Sequence, residues 1–268
     1  VLGRPVSRSE LQQWAAQHAR SNSPTASLSV IRPVPRAQAA AYQAEARASG
    51  LPDFTVRPAG QAPDLYVVDA IEPQAANRKA LGFDLGSEPT RREALLRAID
   101  SGQATLTRRI SLVQDPQKRA AFLYFMPFYR PGMPLDTVAQ RRAALSGLVS
   151  SPVLAEDLFK GLDDAVRQQV TYPLYGQAAS GESVPLVSSV EPSRVRGAAL
   201  FEASTDLDIS GQRLRLVVRS TPGFDVDSGY VQQSGLNVED STTQNTPIFL
   251  EQHVAPTDGV GAKLFLVY

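Results

Sequence analysis

Asp84 is the residue in this chain whose surroundings most demand a chemical explanation. It stands between two large apolar side chains in Gly82-Phe83-Asp84-Leu85-Gly86, just ahead of the helix start Pro89-Thr90-Arg91-Arg92. An ionised carboxylate only accepts hydrogen bonds, and its charge-assisted bonds are the stronger kind. Two roles fit it. It can partner the N-terminal end of the helix that follows, where the dipole favours negative charge, or it can accept N–H groups from a bound molecule. A second stretch of interest is residues 120–130, where Phe122, Tyr124, Met126 and Phe128 alternate along the chain. Alternation puts all four on one face of a strand, either walling a pocket or packing a core.

Other chemistries are poorly supplied. There is no cysteine, which removes disulfides, thiolate metal sites and cysteine nucleophiles together. Two histidines, His18 and His253, do not make a metal cluster. His18 follows the apolar stripe of a first helix, where a hydrogen-bonded imidazole is sufficient explanation. Asp225-x-Asp227 and Glu239-Asp240 lack the spacing of a calcium loop. No phosphate-binding loop, G-x-G-x-x-G, G-x-S-x-G or H-E-x-x-H is present. No catalytic residue, metal or cofactor is therefore expected. A hydrolase built on Asp84 and Glu88 is the enzymatic alternative, but the two lie close in sequence and no base or nucleophile accompanies them.

Lys+Arg and Asp+Glu number 27 each, and the arginines are scattered, so a nucleic-acid partner is not expected. No run of about 18 apolar residues is long enough to span a bilayer. Val1-Leu2-Gly3-Arg4-Pro5 has neither the basic start nor the apolar core of a signal peptide. At 268 residues the chain can build one large domain or two small ones.

The elements that must position these residues read as follows. Ser7-x-x-Glu10 forms a capping box before Leu11, Trp14, Ala15 and His18 at helical spacing. A short strand over residues 27–32 is stopped by Pro33 and Pro35, and an alanine-rich helix over 36–49 ends at Gly50. Residues 54–56 and 65–71 have strand composition. Pro89 opens a helix that Gly102 closes, with Ala94, Leu95, Ala98 and Ile99 as its apolar face. Long strands are expected over 104–113 and 120–130, joined by a turn at Asp115-Pro116, and another strand over 143–150. Leu154, Leu158, Leu162 and Val166 mark a helix. Strands then fall at 170–175, 184–190, 198–203 and 214–219, and a final hairpin at 248–254 and 263–267. Helices around antiparallel strands make an α+β fold.

The order Ile71-Glu72-Pro73, Asn77, Ala80-Leu81-Gly82-Phe83-Asp84, Ser87-Glu88-Pro89-x-Arg91 resembles the signature of the CHASE family. Its members are sensory domains outside the membrane in histidine kinases and nucleotide cyclases. The resemblance covers about residues 5–225 and leaves 226–268 outside its clear extent. It implies two tandem PAS-like α/β subdomains with antiparallel sheets, preceded by a helix: a membrane-distal ligand-binding unit over 1–152 and a membrane-proximal unit over 153–268. It also implies a homodimer in the full receptor, flanking membrane helices outside this sequence, and a periplasmic location.

The resemblance carries residue roles as well. In plant cytokinin receptors, the aspartate at the place of Asp84 hydrogen-bonds the hormone's adenine. Phe83 and Leu85 flank that contact. Leu106 matches a leucine whose backbone meets the ligand. Ser101 stands where those receptors have a threonine at the helix end. Phe122, Tyr124 and Phe128 resemble the aromatic strand lining the pocket. Residues 146–152, Ser-Gly-Leu-Val-Ser-Ser-Pro, depart from the family's glycine-and-aromatic stretch, which bears on the identity of the ligand. The expected function is a small-molecule sensor, with an N6-substituted adenine as first candidate and a histidine kinase as parent. A diguanylate cyclase sensor with another ligand is the alternative, and a spacer that only mediates receptor dimers is a third reading.

Overall fold

The computed structural model describes residues 8–18, 27–112, 117–159, 169–178, 180–187 and 201–221. The expected capping serine, the turn at Asp115-Pro116, the helix beyond residue 159 and the final hairpin lie outside these. The described chain is α+β, with two five-stranded antiparallel sheets.

The first sheet is built from β1 (Leu28–Pro35), β2 (Asp64–Glu72), β3 (Thr105–Leu106), β4 (Ala121–Tyr129) and β5 (Leu145–Leu154), in the order β2-β1-β5-β4-β3. Around it stand α1 (Arg8–His18), α2 (Ala39–Ala48), the single turn α3 (Gln74–Asn77), α4 (Pro89–Ser101) and α5 (Val138–Ala144). The apolar face read for α4 packs on one side of the sheet. Ala94, Leu95, Ala98 and Ile99 meet Ile31, Tyr66, Val68, Leu123, Phe125 and Leu148 in one cluster. On the other side, Leu11 of α1 packs with Val30, Ala70 and Phe128. There too, Ala46 of α2 and the loop residues Phe54 and Val56 cover Val34, Leu65 and Val67.

The ends of α4 show why it stops where it does. Glu88 caps its start through both carboxylate oxygens, and Gly102 takes a left-handed φ of 71° at its end. Its last carbonyls are also served: Tyr129 Oη donates to Ile99 O at 2.9 Å and Arg141 Nε to Asp100 O at 2.6 Å. Both satisfy acceptors that the helix itself leaves open.

Several elements differ from expectation. β1 does not stop at Pro33 but runs to Pro35, because β5 pairs only with Ser29, Val30 and Ile31. Beyond Ile31 the strand has one neighbour, and such edges tolerate proline. Residues 54–56 are not a strand. Their apolar side chains pack under α2, and Val56 N–H is taken by the Gln43 side chain at 2.9 Å. The strand expected over 104–113 shortens to Thr105–Leu106 with an isolated bridge at Ile110. At Thr107 the side-chain oxygen, rather than a strand carbonyl, accepts Leu123 N–H at 2.9 Å. Such local side-chain bonding competes with a regular ladder. The strand at 143–150 is preceded by α5, whose capping box joins Thr137 and Gln140, and it extends to Leu154.

The second sheet contains β6 (Val170–Thr171), β7 (Leu174–Gln177), β8 (Ser183–Val187), β9 (Glu202–Ile209) and β10 (Gln212–Ser220). Its order is β6-β10-β7-β8, with β9 paired to β10. One strand expected over 170–175 is two, interrupted at Tyr172-Pro173. The β9–β10 turn has positive φ at both Ser210 (49°) and Gly211 (77°), as a two-residue hairpin turn of that hand requires. By contacts the chain forms two units, one of Val1–Asp157, Gly176–Val184 and Asp208–Arg213, the other of Leu158–Tyr175, Pro185–Leu207 and Leu214–Tyr268. Among the described residues, no helix is long and apolar enough to cross a membrane.

Candidate functional site

The Asp84 segment lies along the outer edge of β2. Gly82 N–H donates to Val68 O at 2.9 Å, and Val68 N–H donates to Phe83 O at 3.0 Å. The next free donor on that edge, Tyr66 N–H, goes to Asp84 Oδ1 at 2.9 Å. The same oxygen accepts Gly86 N–H at 3.0 Å, forming the turn of residues 85–87. A carboxylate thus replaces a backbone carbonyl and closes an edge that would otherwise expose unpaired donors.

A side chain is sterically excluded at Gly82 and would force neighbouring side chains to shift at Gly86. Gly82 has φ of 75°, and a Cβ there would lie 1.9 Å from Thr55 O. At Gly86 a Cβ would lie 2.8 Å from Tyr66 Cδ2 and 3.0 Å from Arg92 Nη1. Arg92 holds this corner from outside, its guanidinium 5.6 Å from the Tyr66 ring centroid and donating to Asp64 O and Gly86 O.

Asp84 itself is 1% exposed. Its two oxygens have different environments. Oδ1 holds two main-chain amides, whereas Oδ2 is buried and accepts no hydrogen bond. Leaving a buried acceptor unmet is costly, more so when it is charged. Of the two roles its position allows, partnership with the N-terminus of α4 is not the one Asp84 makes. Glu88 does that instead, accepting Thr90 N–H at 2.9 Å and Arg91 N–H at 3.0 Å.

Arg91 is the neighbour that composition did not single out. It is 8% exposed, lies 5.8 Å from the Phe83 ring centroid and donates to Ser111 O at 3.3 Å. Glu88 is 3.9 Å from its Nε. Burial lowers its pKa, and Glu88 opposes that. Phe83 and Leu85 pack against the α4 cluster, so Arg91 and Phe83 together cover the Asp84 segment on that side.

The other candidates lie elsewhere. Phe122, Tyr124 and Phe128 alternate with Leu123 and Phe125, which face α4, so the three aromatics point to the opposite face. Phe128 packs with Leu11 and Val30 there, and Gly147 makes room for its ring, since a Cβ would lie 2.6 Å from Phe128 Cζ. Leu106 is the register partner of Tyr124 on the far edge strand β3. Its N–H donates to Ser210 O at 3.0 Å, and its carbonyl accepts Arg97 Nη2 at 2.8 Å. Ser101 is exposed at the end of α4, its Oγ accepting Gln103 N–H at 3.1 Å. The sheet therefore groups Phe83, Asp84 and Leu85 on one edge, and it groups Leu106 with Tyr124 on the other.

The segment before Asp84 is equally ordered. Ile71 is the last β2 residue in the α4 cluster, Glu72 Oε2 accepts Gln74 N–H at 3.1 Å, and buried Asn77 donates to Pro73 O at 2.9 Å. These residues shape the turn that brings the chain back along β2. The family model for the CHASE domain matches residues 4–186.

The chain belongs to the CHASE domain family.

CHASE domains are extracellular sensor domains of receptors, histidine kinases and cyclases among them, and they sense rather than catalyse. Among curated proteins, none matches the chain. The CHASE match takes in the whole first sheet and stops before β9. Within it, one further cluster escaped the reading of the sequence: Asp69 with Arg8, Arg32 and Tyr42. Its signal was an aspartate inside the apolar run Leu65-Tyr66-Val67-Val68-Asp69-Ala70-Ile71, since carboxylates are rarely buried without partners.

Proposed function

We propose that this CHASE domain senses a small molecule through the Asp84 carboxylate and reports it across a membrane. The observation that supports this is the division of labour within one side chain. Oδ1 is committed to the fold, and Oδ2 is a buried acceptor with nothing to accept. A ligand presenting N–H donors answers that need, and an N6-substituted adenine offers such donors. Because Oδ2 is buried, the segment must open for a ligand to reach it.

The ligand-binding unit spans residues 1–152 and the second unit 153–268, both PAS-like. The parent is a periplasm-facing receptor of an inner membrane, dimeric, with a histidine kinase output ahead of a diguanylate cyclase. Leu106 would meet the ligand only if its amide released Ser210. The aromatic face of β4 belongs to a different side of the sheet from Phe83, so it is not needed for the Asp84 contact.

The test is titration of the chain with isopentenyladenine by calorimetry, beside Asp84→Asn. The asparagine retains an acceptor for Tyr66 and Gly86 but turns a donor toward the position of Oδ2. Binding to the unsubstituted chain that weakens about tenfold or more in Asp84→Asn supports the reading. Equal affinity in both rejects Asp84 as the contact, and absence of binding by the unsubstituted chain rejects an adenine ligand.

A further inference from the structure

We infer that the bulge of β2 at Asp69 and Ala70 couples the Asp84 segment to the N-terminal helix α1, an inference that rests on the sensory reading above. The β1–β2 register shifts between Val30 and Ile31: Val30 faces Ala70, Ile31 faces Val68, and Asp69 is the extra residue. A bulge lets consecutive side chains share a face, which regular alternation forbids. Here both serve α1. Ala70 packs with Leu11. Asp69 holds Arg8 twice, its Oδ1 accepting Arg8 Nη2 at 2.5 Å and its carbonyl accepting Arg8 Nε at 3.3 Å.

The hold is reinforced from two more elements. Tyr42 of α2 donates its hydroxyl to Asp69 Oδ1 at 2.5 Å, and Arg32 Nε of β1 lies 3.8 Å from Oδ2. Arg8 Nη1 also donates to Ser49 Oγ beyond the end of α2. Asp69 is 6% exposed, so these bonds are made where water competes little.

On the other side of the same strand, the Asp84 segment bonds Tyr66 N–H, Val68 N–H and Val68 O. The last of these bonds is therefore made by the carbonyl of the peptide that joins Val68 to Asp69, the residue that grips α1. A bulge interrupts the ladder locally, and coupling requires an element with two arrangements that both sites bias; in this proposal the bulge is that element. If the Asp84 segment lets go of Val68, the bulge loses its support on that edge, and Arg8 loses its fixed acceptors.

The experiment is hydrogen exchange, read by mass spectrometry, on the full chain and on Asp84→Ala, Asp69→Asn and the double variant. Gly86→Ala serves as the milder perturbation of the segment should Asp84→Ala fail to fold. Asp84→Ala or Gly86→Ala is expected to speed exchange over residues 8–18 about tenfold, the size expected for losing a charge-assisted bond. Residues 121–129 should remain protected, and the Asp84 or Gly86 change should add nothing in the Asp69→Asn background. Unchanged exchange in α1 overturns the inference. So does an equal increment with Asp69→Asn, and so does equal loosening of residues 121–129. Saturating isopentenyladenine on the unsubstituted chain should shift the same α1 peptides. An unsubstituted chain that binds none of it counts against the ligand, while the variants still decide the coupling.

Discussion

Asp84 Oδ1 accepts the main-chain N–H of Tyr66 at 2.9 Å, filling the place on the edge of β2 where a neighbouring strand would offer a carbonyl. Asp84 is thus part of the sheet edge. Substitutions there must be read with that contact as well as the proposed binding role in view.

Asp84→Ala should destabilise the chain by about 2–4 kcal/mol, because it leaves the Tyr66 and Gly86 amides without their acceptor. Asp84→Asn should cost less than half of that, since its amide oxygen still accepts both. Urea unfolding followed by circular dichroism separates the two. Equal losses would mean that the charge, not the acceptor, holds the segment.

The bracketing glycines should differ from a turn glycine that faces open space. Gly82→Ala combines a left-handed φ with a contact against Thr55 O, and should cost about 3 kcal/mol or more. Gly50→Ala also has positive φ but meets nothing within 4 Å, and should cost about 1 kcal/mol. Chemical denaturation midpoints rank them. A Gly82 variant as stable as the Gly50 variant would contradict the close approach of residues 55 and 82.

Glu88→Ala removes the cap of α4 and the nearest carboxylate to buried Arg91, so its loss should exceed an ordinary cap's ~1 kcal/mol. Glu88→Gln keeps one capping oxygen but puts an amide donor in place of the other, so it removes the charge and one of the two cap bonds. The difference between the two, measured by thermal unfolding, reports the one cap bond that Gln retains. The loss remaining in Glu88→Gln combines the second cap bond with the charge removed beside Arg91.

Tyr42 should make the fold sensitive to alkali. Burial, followed by the charge and hydrogen bond of Asp69, pushes its pKa well above 10 in the folded chain. The unfolded chain therefore releases that proton first, and stability that is complete below pH ~10 is lost as pH rises beyond it. At most this contributes about 1.4 kcal/mol per pH unit. Tyr42→Phe should be less stable at neutral pH but show a shallower decline between pH 10 and 12. An unchanged slope would mean that Tyr66 and Tyr129, also raised by burial, carry the alkaline response.

How much of this was readable beforehand depended on distance along the chain. The start, end and apolar face of α4 follow from Pro89, Gly102 and the spacing of Ala94, Leu95, Ala98 and Ile99, all within one helix. Which carboxylate caps α4 is not legible locally: Asp84 and Glu88 both precede Pro89, and geometry gives the cap to Glu88 and the preceding turn to Asp84. Thr107 shortened a strand that composition favoured, since its hydroxyl found Leu123 N–H across the sheet.

By itself the sequence determined the family, the α+β class and those local elements, such as α4, whose caps, turn glycines and apolar periodicity act over a few residues. The tertiary structure alone decided that Asp84 meets Tyr66, 18 residues away, and that Asp69 meets Arg8, 61 residues away. It also decided that Phe83 and Phe128 belong to different faces of one sheet. Those outcomes follow from strand order and from a single-residue bulge. Both are set by how distant segments pair, and no short stretch of sequence encodes that pairing on its own.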